Sequence, residues 1–247
     1  VTFVPVCNPQ AAARHQRFID RNLNRHFYPK DQHIHYEDTL DAVLCNVLDD
    51  ADILLDLHSY QSLGGPFAFL GTSSAREIAY GRALGLSNYI YGWADAFGDH
   101  DATEEQRKAS LGTTDYVRNK ANPGIAITVE CGHHYNADNV AIGCTVITRA
   151  MHFAGLIDGD VLPSVPTGDQ HAIQMQRVFY KQKSGALVKP WHHCDQVAAG
   201  ELIARYDDGE GIAAPQDGVI VLPKTQTDHA IGAEWFYFGV ETDFPES

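Results

Sequence analysis

Short apolar runs alternate with segments of helical period along most of this chain, and that alternation limits the fold more than any other feature. After Asp38, predicted as an N-cap, apolar residues recur at the spacing of a helix buried on one face. Strand-like runs at 51–57 and 125–129 then end on His58 and Glu130. Such a pattern is typical of a sheet with helices on its faces. We therefore predict an α/β fold.

The same reading predicts further elements on either side of these runs. Residues 2–6 are interpreted as a buried strand that ends at the breaker Cys7-Asn8-Pro9. The remaining strands are predicted at 66–70 and 88–91, and the remaining helices at 74–84, 113–121 and 139–157.

The composition of the sequence changes near a stretch that contains proline and glycine, 162–168. Such a stretch suits an inter-domain linker. We predict an α/β domain over residues 1–160 and a small β-rich domain over residues 169–247, where short strands and turns predominate. The second domain is similar to the small β-barrel modules of the lipoyl and biotinyl type, although the lysine that those modules modify is not evident.

Charge and cysteine usage exclude several classes of function. The chain of 247 residues carries a formal charge of −14, which repels phosphate backbones and anionic membranes. The five cysteines contain no Cys-x-x-Cys pair, so the sequence predicts neither a disulfide framework nor a thiolate metal site. No apolar run approaches the ~20 residues of a membrane helix. We expect a cytoplasmic protein that binds neither nucleic acid nor membrane.

Two polar side chains follow apolar strands at positions where α/β folds build their sites. A neutral imidazole such as His58 is a good zinc ligand, and Asp56 could hold its second ring nitrogen. Glu130 precedes Cys131-Gly132 and suits a general base in metal-assisted hydrolysis. Each residue also has a purely structural alternative, namely a histidine bonded to a loop and a glutamate in an ion pair.

An arginine-rich segment at 17–25 stands out in an otherwise acidic chain. Guanidinium groups bind carboxylates through paired hydrogen bonds, and a neighbouring asparagine can add another. The segment therefore indicates an acidic ligand. The alternative is a solvated loop whose arginines neutralise nearby acidic residues.

Taken together, these motifs resemble the succinylglutamate desuccinylase and aspartoacylase family, which is similar to the zinc carboxypeptidases. The resemblance rests on the order and spacing of motifs over about the first 135 residues: Asn8-Pro9, Arg17, Asn24-Arg25, Asp56-Leu57-His58 and Glu130-Cys131-Gly132. It implies a zinc-carboxypeptidase-like mixed sheet flanked by helices, followed by a β-rich domain.

The resemblance also implies a role for each matching residue. Asn24 and Arg25 correspond to the pair that binds the substrate carboxylate, and Arg17 to the arginine that polarises the scissile carbonyl. His58 corresponds to the family's third zinc ligand, and Glu130 to its general acid and base. The expected protein is a zinc-dependent hydrolase that cleaves the amide bond of an N-acyl amino acid or of a small peptide-like substrate.

One motif of the family is missing. Its first two zinc ligands come from a His-x-x-Glu motif before the Asn-Pro turn, and the present sequence contains no His-x-x-Glu. His35 to Asp38 forms a His-x-x-Asp, but this lies beyond Asn24-Arg25 and is interpreted as a loop leading into a helix. A catalytic zinc ion normally takes three protein ligands and a water.

Two explanations of this departure stay open. Either a longer gene product has an N-terminal segment, which the start on Val1 favours, or the chain is a truncated relative without metal chemistry. The alternatives in function are a non-catalytic carboxylate-binding relative and a carboxypeptidase acting on larger peptides. The expected partner is a small carboxylate-bearing substrate, and a homo-oligomer stays open.

Overall fold

A computed structural model describes residues 1–71, 74–96, 111–159, 162, 169–226 and 229–245. Within this part of the chain lie six helices: α1 Pro9–Ala13, α2 Tyr36–Asp49, α3 Ala75–Ala83, α4 Trp93–Ala96, α5 Thr113–Asn119 and α6 Asn139–Phe153. The strands are β1 Ile53–Tyr60, β2 Phe67–Phe69, β3 Asn88–Tyr91, β4 Ile125–His133, β5 His171–Tyr180, β6 Gly185–Leu187, β7 Asp195–Val197, β8 Leu202–Tyr206, β9 Gly211–Ala213, β10 Gly218–Val221 and β11 Glu234–Thr242.

Eight of the strands form one mixed sheet in the order β1-β4-β2-β3-β5-β11-β10-β7. The pairs β2–β3 and β3–β5 are parallel, whereas β4–β2 and the pairs from β5 to β7 are antiparallel. A second sheet contains β6, β8 and β9. This mixed sheet with helices and a C-terminal β region confirms the predicted α/β class.

The chain divides into two compact units. Unit 1 comprises Val1–Asp56 with Asp101–Ala126, and unit 2 comprises Leu57–His100 with Ile127–Ser247. The predicted boundary between residues 160 and 169 stays a prediction, because within 162–168 only Leu162 belongs to the described residues.

Each unit has its own buried apolar cluster. In unit 1, Phe27 from the segment before α2 packs with residues of α2 and α5. The cluster contains Phe27, Leu44, Cys45, Leu48, Val117 and Ala126. In unit 2 one cluster lines the large sheet, including Phe67, Ile90, Ile173, Met175 and Tyr237. A second cluster contains Trp191, Ile203, Tyr206, Trp235, Phe236 and Phe238.

Most predicted elements are present, with ends shifted by a few residues. The strand at 88–91 is observed as predicted, and β1 and β4 continue beyond His58 and Glu130 instead of ending on them. The predicted N-cap Asp38 is wrong. His35 occupies that position, and the Asp38 carboxylate accepts the backbone N–H groups of Ile34 and His35 from within the first turn.

The predicted buried strand at 2–6 is also wrong. These residues form no strand, and Phe3 is 61% exposed. Within the described residues no strand pairs with the segment, and Pro5 lacks the N–H group that a strand interior needs. An apolar run of five residues or fewer does not make a strand without a partner.

Candidate active site

Strands β1 and β4 are neighbours that run in the same direction. The Ile125 N–H donates to the Asp52 carbonyl at 3.0 Å, and further along both strands the His134 N–H donates to the Tyr60 carbonyl at 2.9 Å. Both residue numbers increase together, which is the pattern of a parallel pair. The polar motifs of β1 and β4 therefore lie at the same end of the sheet.

His58 and Glu130 share one face of this pair of strands. A Cβ built on Gly143 of α6 would lie 3.8 Å from Leu57 Cδ1 and 3.9 Å from Cys131 Sγ, so those two side chains are on the α6 face. Successive side chains of a strand point to opposite faces, which puts His58 and Glu130 together on the other face.

The register makes these two residues direct neighbours. The hydrogen bond between Ile125 and Asp52 sets Ile125 beside Ile53, whereas the bond between His134 and Tyr60 is one residue out of that register. Leu57 and Cys131 share a face only in the first register, so the shift lies after Cys131 and Glu130 stands beside His58. On its other side Glu130 is the register partner of Phe67 in β2. Adjacent strands are about 4.8 Å apart. An imidazole and a carboxylate thus occupy adjoining positions at the carboxyl end of parallel strands.

Position 132, two residues after Glu130 in β4, requires glycine. Gly132 has φ +132°, and a Cβ there would lie 2.9 Å from Asn139 Oδ1, so both conformation and space require glycine. The Asn139 side chain donates to the His133 carbonyl at 2.8 Å. His134 Nδ1 lies 2.8 Å from the hydroxyl of Ser59, a side chain on the face opposite to His58.

The negative charge of Glu130 contributes to a raised pKa in two buried neighbours, Cys131 and Tyr60. Burial raises the pKa of Cys131 to about 11, and the negative charge of Glu130 adds to the effect. Burial also raises the pKa of Tyr60, with further contributions from Cys194 and Glu130. These groups therefore stay protonated beside the carboxylate at neutral pH, and the Tyr60 hydroxyl donates to the Gly65 carbonyl at 2.7 Å.

In unit 1 the arginine-rich segment is anchored by a buried glutamate. Glu37, which is 0% exposed, accepts the backbone N–H groups of Ile19, Asp20 and Arg21 at 2.6 to 3.2 Å. It also accepts the side-chain amide of Asn8 at 2.9 Å. Burial on its own raises the pKa of Glu37, but these hydrogen bonds outweigh it and the net pKa is lowered.

Asn8 also explains the Asn-Pro motif. Its side-chain oxygen accepts the Ala11 N–H at 3.0 Å and so caps α1, whose first residue is Pro9. The motif therefore starts a helix and, through Glu37, fixes the start of the arginine-rich segment.

Arg21 is held between two buried aspartates of α2. Its Nε donates to Asp38 at 2.9 Å and its Nη2 to Asp41, while Lys30 also pairs with Asp41. The same guanidinium donates to the carbonyl of Arg25 at 2.7 Å. Burial favours the protonated form of Asp38, but hydrogen bonds from His35, Arg21 and Ile34 lower its pKa to about 2.

The three residues predicted to contact the substrate, Arg17 at its scissile carbonyl and Asn24 and Arg25 at its carboxylate, lie in unit 1. Arg17 is exposed and forms no hydrogen bond or ion pair with a described residue. Arg25 is half-buried, and its Nη1 donates to the Asn24 carbonyl at 2.7 Å. Asn24 is half-buried and accepts the Thr113 N–H at its side-chain oxygen at 3.0 Å. The Thr113 hydroxyl donates to Asp56, and the role predicted for Asp56 beside His58 stays a prediction.

The sequence interpretation missed Glu37, Arg21 and Thr113. The Arg21 N–H donates to Glu37, 16 residues later in the chain, and the Arg21 side chain donates to Asp41, 20 residues later. The Thr113 N–H donates to Asn24, which lies 89 residues earlier in the chain. One signal was available. Acidic residues at 37 and 41 are spaced to share a face of α2, and charges are rarely buried unless they are paired.

The described residues do not complete a zinc site on their own. Among them, no three His, Cys, Asp or Glu side chains are close enough to hold an ion. His58 is the single residue that the resemblance assigns to zinc, whereas a catalytic zinc normally takes three protein ligands.

Comparison with known proteins identifies the family of this chain. The model of the succinylglutamate desuccinylase/aspartoacylase catalytic domain matches residues 1–140. No curated protein matches the chain. Within the described residues no helix has both the length and the apolar character needed to cross a membrane.

Several solved structures share the fold. The succinylglutamate desuccinylase/aspartoacylase of Rhodobacter sphaeroides matches with a TM-score of 0.76 at 17% identity, over 97% of this chain and 74% of the other. The ectoine utilization protein EutE (DoeB) of Ruegeria pomeroyi matches with a TM-score of 0.72 at 20% identity, over 96% and 74%. Murine aminoacylase 3 gives 0.63 at 15% identity, over 96% and 82%.

The fold is a mixed α/β fold of the desuccinylase and aspartoacylase type. The chain belongs to the succinylglutamate desuccinylase/aspartoacylase catalytic-domain family, a family of enzymes that hydrolyse acyl amino acids.

Proposed function

We propose that this protein hydrolyses the amide bond of a small N-acyl amino acid, releasing the acyl group as a carboxylic acid and the amino acid as its free amine. The observation that carries the proposal is the adjoining position of His58 and Glu130 on one face of parallel strands. Membership of the family supports the same reaction class.

Glu130 is the general base in this proposal. Its carboxylate takes a proton from water as the water oxygen attacks the amide carbon, and it delivers that proton to the leaving nitrogen as the C–N bond breaks. The carboxylate is thereby regenerated in each turnover. Arg17 stabilises the negative charge that develops on the carbonyl oxygen.

Asn24 and Arg25 bind the carboxylate of the substrate. Arginine offers paired N–H donors to a carboxylate, and the asparagine amide adds a neutral donor. The names of the similar structures, which include succinylglutamate desuccinylases and an aminoacylase, are consistent with an N-acylated amino acid as the substrate class.

His58 is the one residue of this chain that we assign to a zinc ion. Elemental analysis of protein purified without chelator tests it, since a zinc-dependent enzyme should carry about one equivalent, and His58→Ala should lower that content. Unchanged metal content in His58→Ala would remove His58 from the proposal.

A substrate panel tests the reaction. Purified protein is incubated with succinylglutamate, an N-acetyl amino acid and an unblocked dipeptide, and the released acid and amine are followed by proton NMR. We expect turnover of an N-acyl amino acid. Turnover of the dipeptide alone would favour a carboxypeptidase, and tight binding of an N-acyl amino acid without turnover would favour a non-catalytic relative.

A further inference from the structure

The side-chain amide of Asn24 has one orientation fixed by its neighbour. Its Oδ1 lies 3.0 Å from the backbone N of Thr113, the first residue of α5. A peptide N–H can only donate, so the oxygen of the amide must face it and the NH2 group must face away. Within the described part of the chain, no group accepts a hydrogen bond from that NH2.

Gly112 lies so close to the same amide that there is no room for a side chain at this position. A Cβ at this position would lie 2.3 Å from Asn24 Oδ1 and 3.1 Å from Asn24 Cγ. The φ of Gly112 is −110°, a conformation open to every residue, so the backbone does not require glycine here. The requirement comes from the Asn24 side chain, which any larger residue would displace.

The residues around Asn24 hold this arrangement in place. The Thr113 hydroxyl donates to Asp56, which fixes the start of α5 against the strand that continues to His58. The Arg25 guanidinium donates to the Asn24 carbonyl at 2.7 Å. Both the main chain and the side chain of Asn24 are therefore restrained, and the one group of its amide left without a described partner is a donor.

We propose that Gly112 and Thr113 are positioning residues that orient the Asn24 amide so that its NH2 group donates to the substrate carboxylate. This inference rests on the proposed function, which assigns Asn24 to that carboxylate. With the amide reversed, its oxygen would face the carboxylate and repel it. The pair thus selects ligands that accept a hydrogen bond over ligands that present a donor.

Binding of succinylglutamate, measured by calorimetry, tests the role. Gly112→Ala should weaken binding about 10- to 100-fold, because a hydrogen bond to a charged group contributes about 1.5–3 kcal/mol and 1.4 kcal/mol corresponds to a factor of ten. Gly65→Ala is the matched control, since a Cβ at Gly65 meets no atom within 4 Å. Wild-type affinity in Gly112→Ala would overturn the inference.

A double variant separates positioning from a general loss of structure. Once Asn24→Ala has removed the side chain that the new Cβ meets, adding Gly112→Ala should weaken binding no further. A further loss of tenfold or more in the double variant would show that Gly112 acts elsewhere and would overturn the inference.

A ligand-free readout keeps this inference separate from the proposed function. The side-chain NH2 signals of Asn24, assigned with Asn24→Asp, should shift in Gly112→Ala and stay unchanged in Gly65→Ala. Unchanged Asn24 signals in Gly112→Ala would overturn the positioning role. If no N-acyl amino acid binds the wild-type protein, the proposed function fails, whereas the NMR result still decides the orientation.

Discussion

Replacing Arg21 by methionine removes a cation that two buried carboxylates share. The side chains of Asp38 and Asp41 are 3% and 0% exposed, and both contact the Arg21 guanidinium. The variant also removes two donors to the segment that carries Asn24, namely those to the carbonyls of Asn22 and Arg25. In the wild type, hydrogen bonds from His35, Arg21 and Ile34 hold the pKa of Asp38 at about 2, and those from His35 and Ile34 remain in the variant, whereas burial raises the pKa of Asp41.

The expected cost follows from the burial of the partners. Removing one member of a buried ion pair costs about 3–5 kcal/mol, because the other charge is left without compensation. Lys30 still contacts both aspartates, so we expect a value near the lower end, about 3 kcal/mol. A loss of this size is a large fraction of a typical stability of about 5–15 kcal/mol.

Urea unfolding followed by far-ultraviolet circular dichroism and by tryptophan fluorescence measures the effect. Both the dichroism midpoint and the fluorescence midpoint of Arg21→Met should fall. Lys183→Met, which removes an exposed pairing with Asp208 and Glu210, is the control and should leave both midpoints unchanged. A loss below about 1 kcal/mol in Arg21→Met would refute the reasoning.

Two further perturbations have defined outcomes. Lys120 donates to the carbonyls of Leu48, Asp49 and Ala51 at the end of α2, so Lys120→Met should lower the unfolding free energy by about 1–3 kcal/mol in urea titration, and no change would contradict this capping role. Burial lowers the pKa of His193 to about 3, so its contribution to stability is present above its unfolded pKa of about 6.5 and is lost as the pH falls from there towards 3. Between pH 7 and 5 the wild type should lose about 2 kcal/mol more than His193→Gln, and equal losses would show that His193 is not held neutral.

The sequence predicted those parts of the site that lie on strongly apolar strands. His58 and Glu130 each follow a run of β-prone residues, and such runs form strands wherever a sheet can bury them. The shared face of the two residues was not predictable, because it depends on the register between strands that are about 70 residues apart in the chain.

Three further features were not predicted correctly. Residues 2–6 form a strand-like apolar run, but no described strand pairs with them. Asp38 was predicted as an N-cap, and it instead accepts the N–H groups of the residues that precede the helix. The need for glycine at position 112 arises from Asn24, 88 residues earlier, and nothing in the local sequence indicates it.

The central claim is that Glu130, beside His58, is the base of an amide hydrolysis. Steady-state hydrolysis of succinylglutamate by the wild type, Glu130→Gln and Glu241→Gln measures it most directly, with calorimetric binding of the same ligand as a companion. Glu241 is an exposed glutamate of β11 that pairs with His171. We expect Glu130→Gln to bind the ligand but to lose turnover about 10²- to 10⁴-fold, whereas Glu241→Gln stays active. Turnover in Glu130→Gln equal to that of the wild type would contradict it.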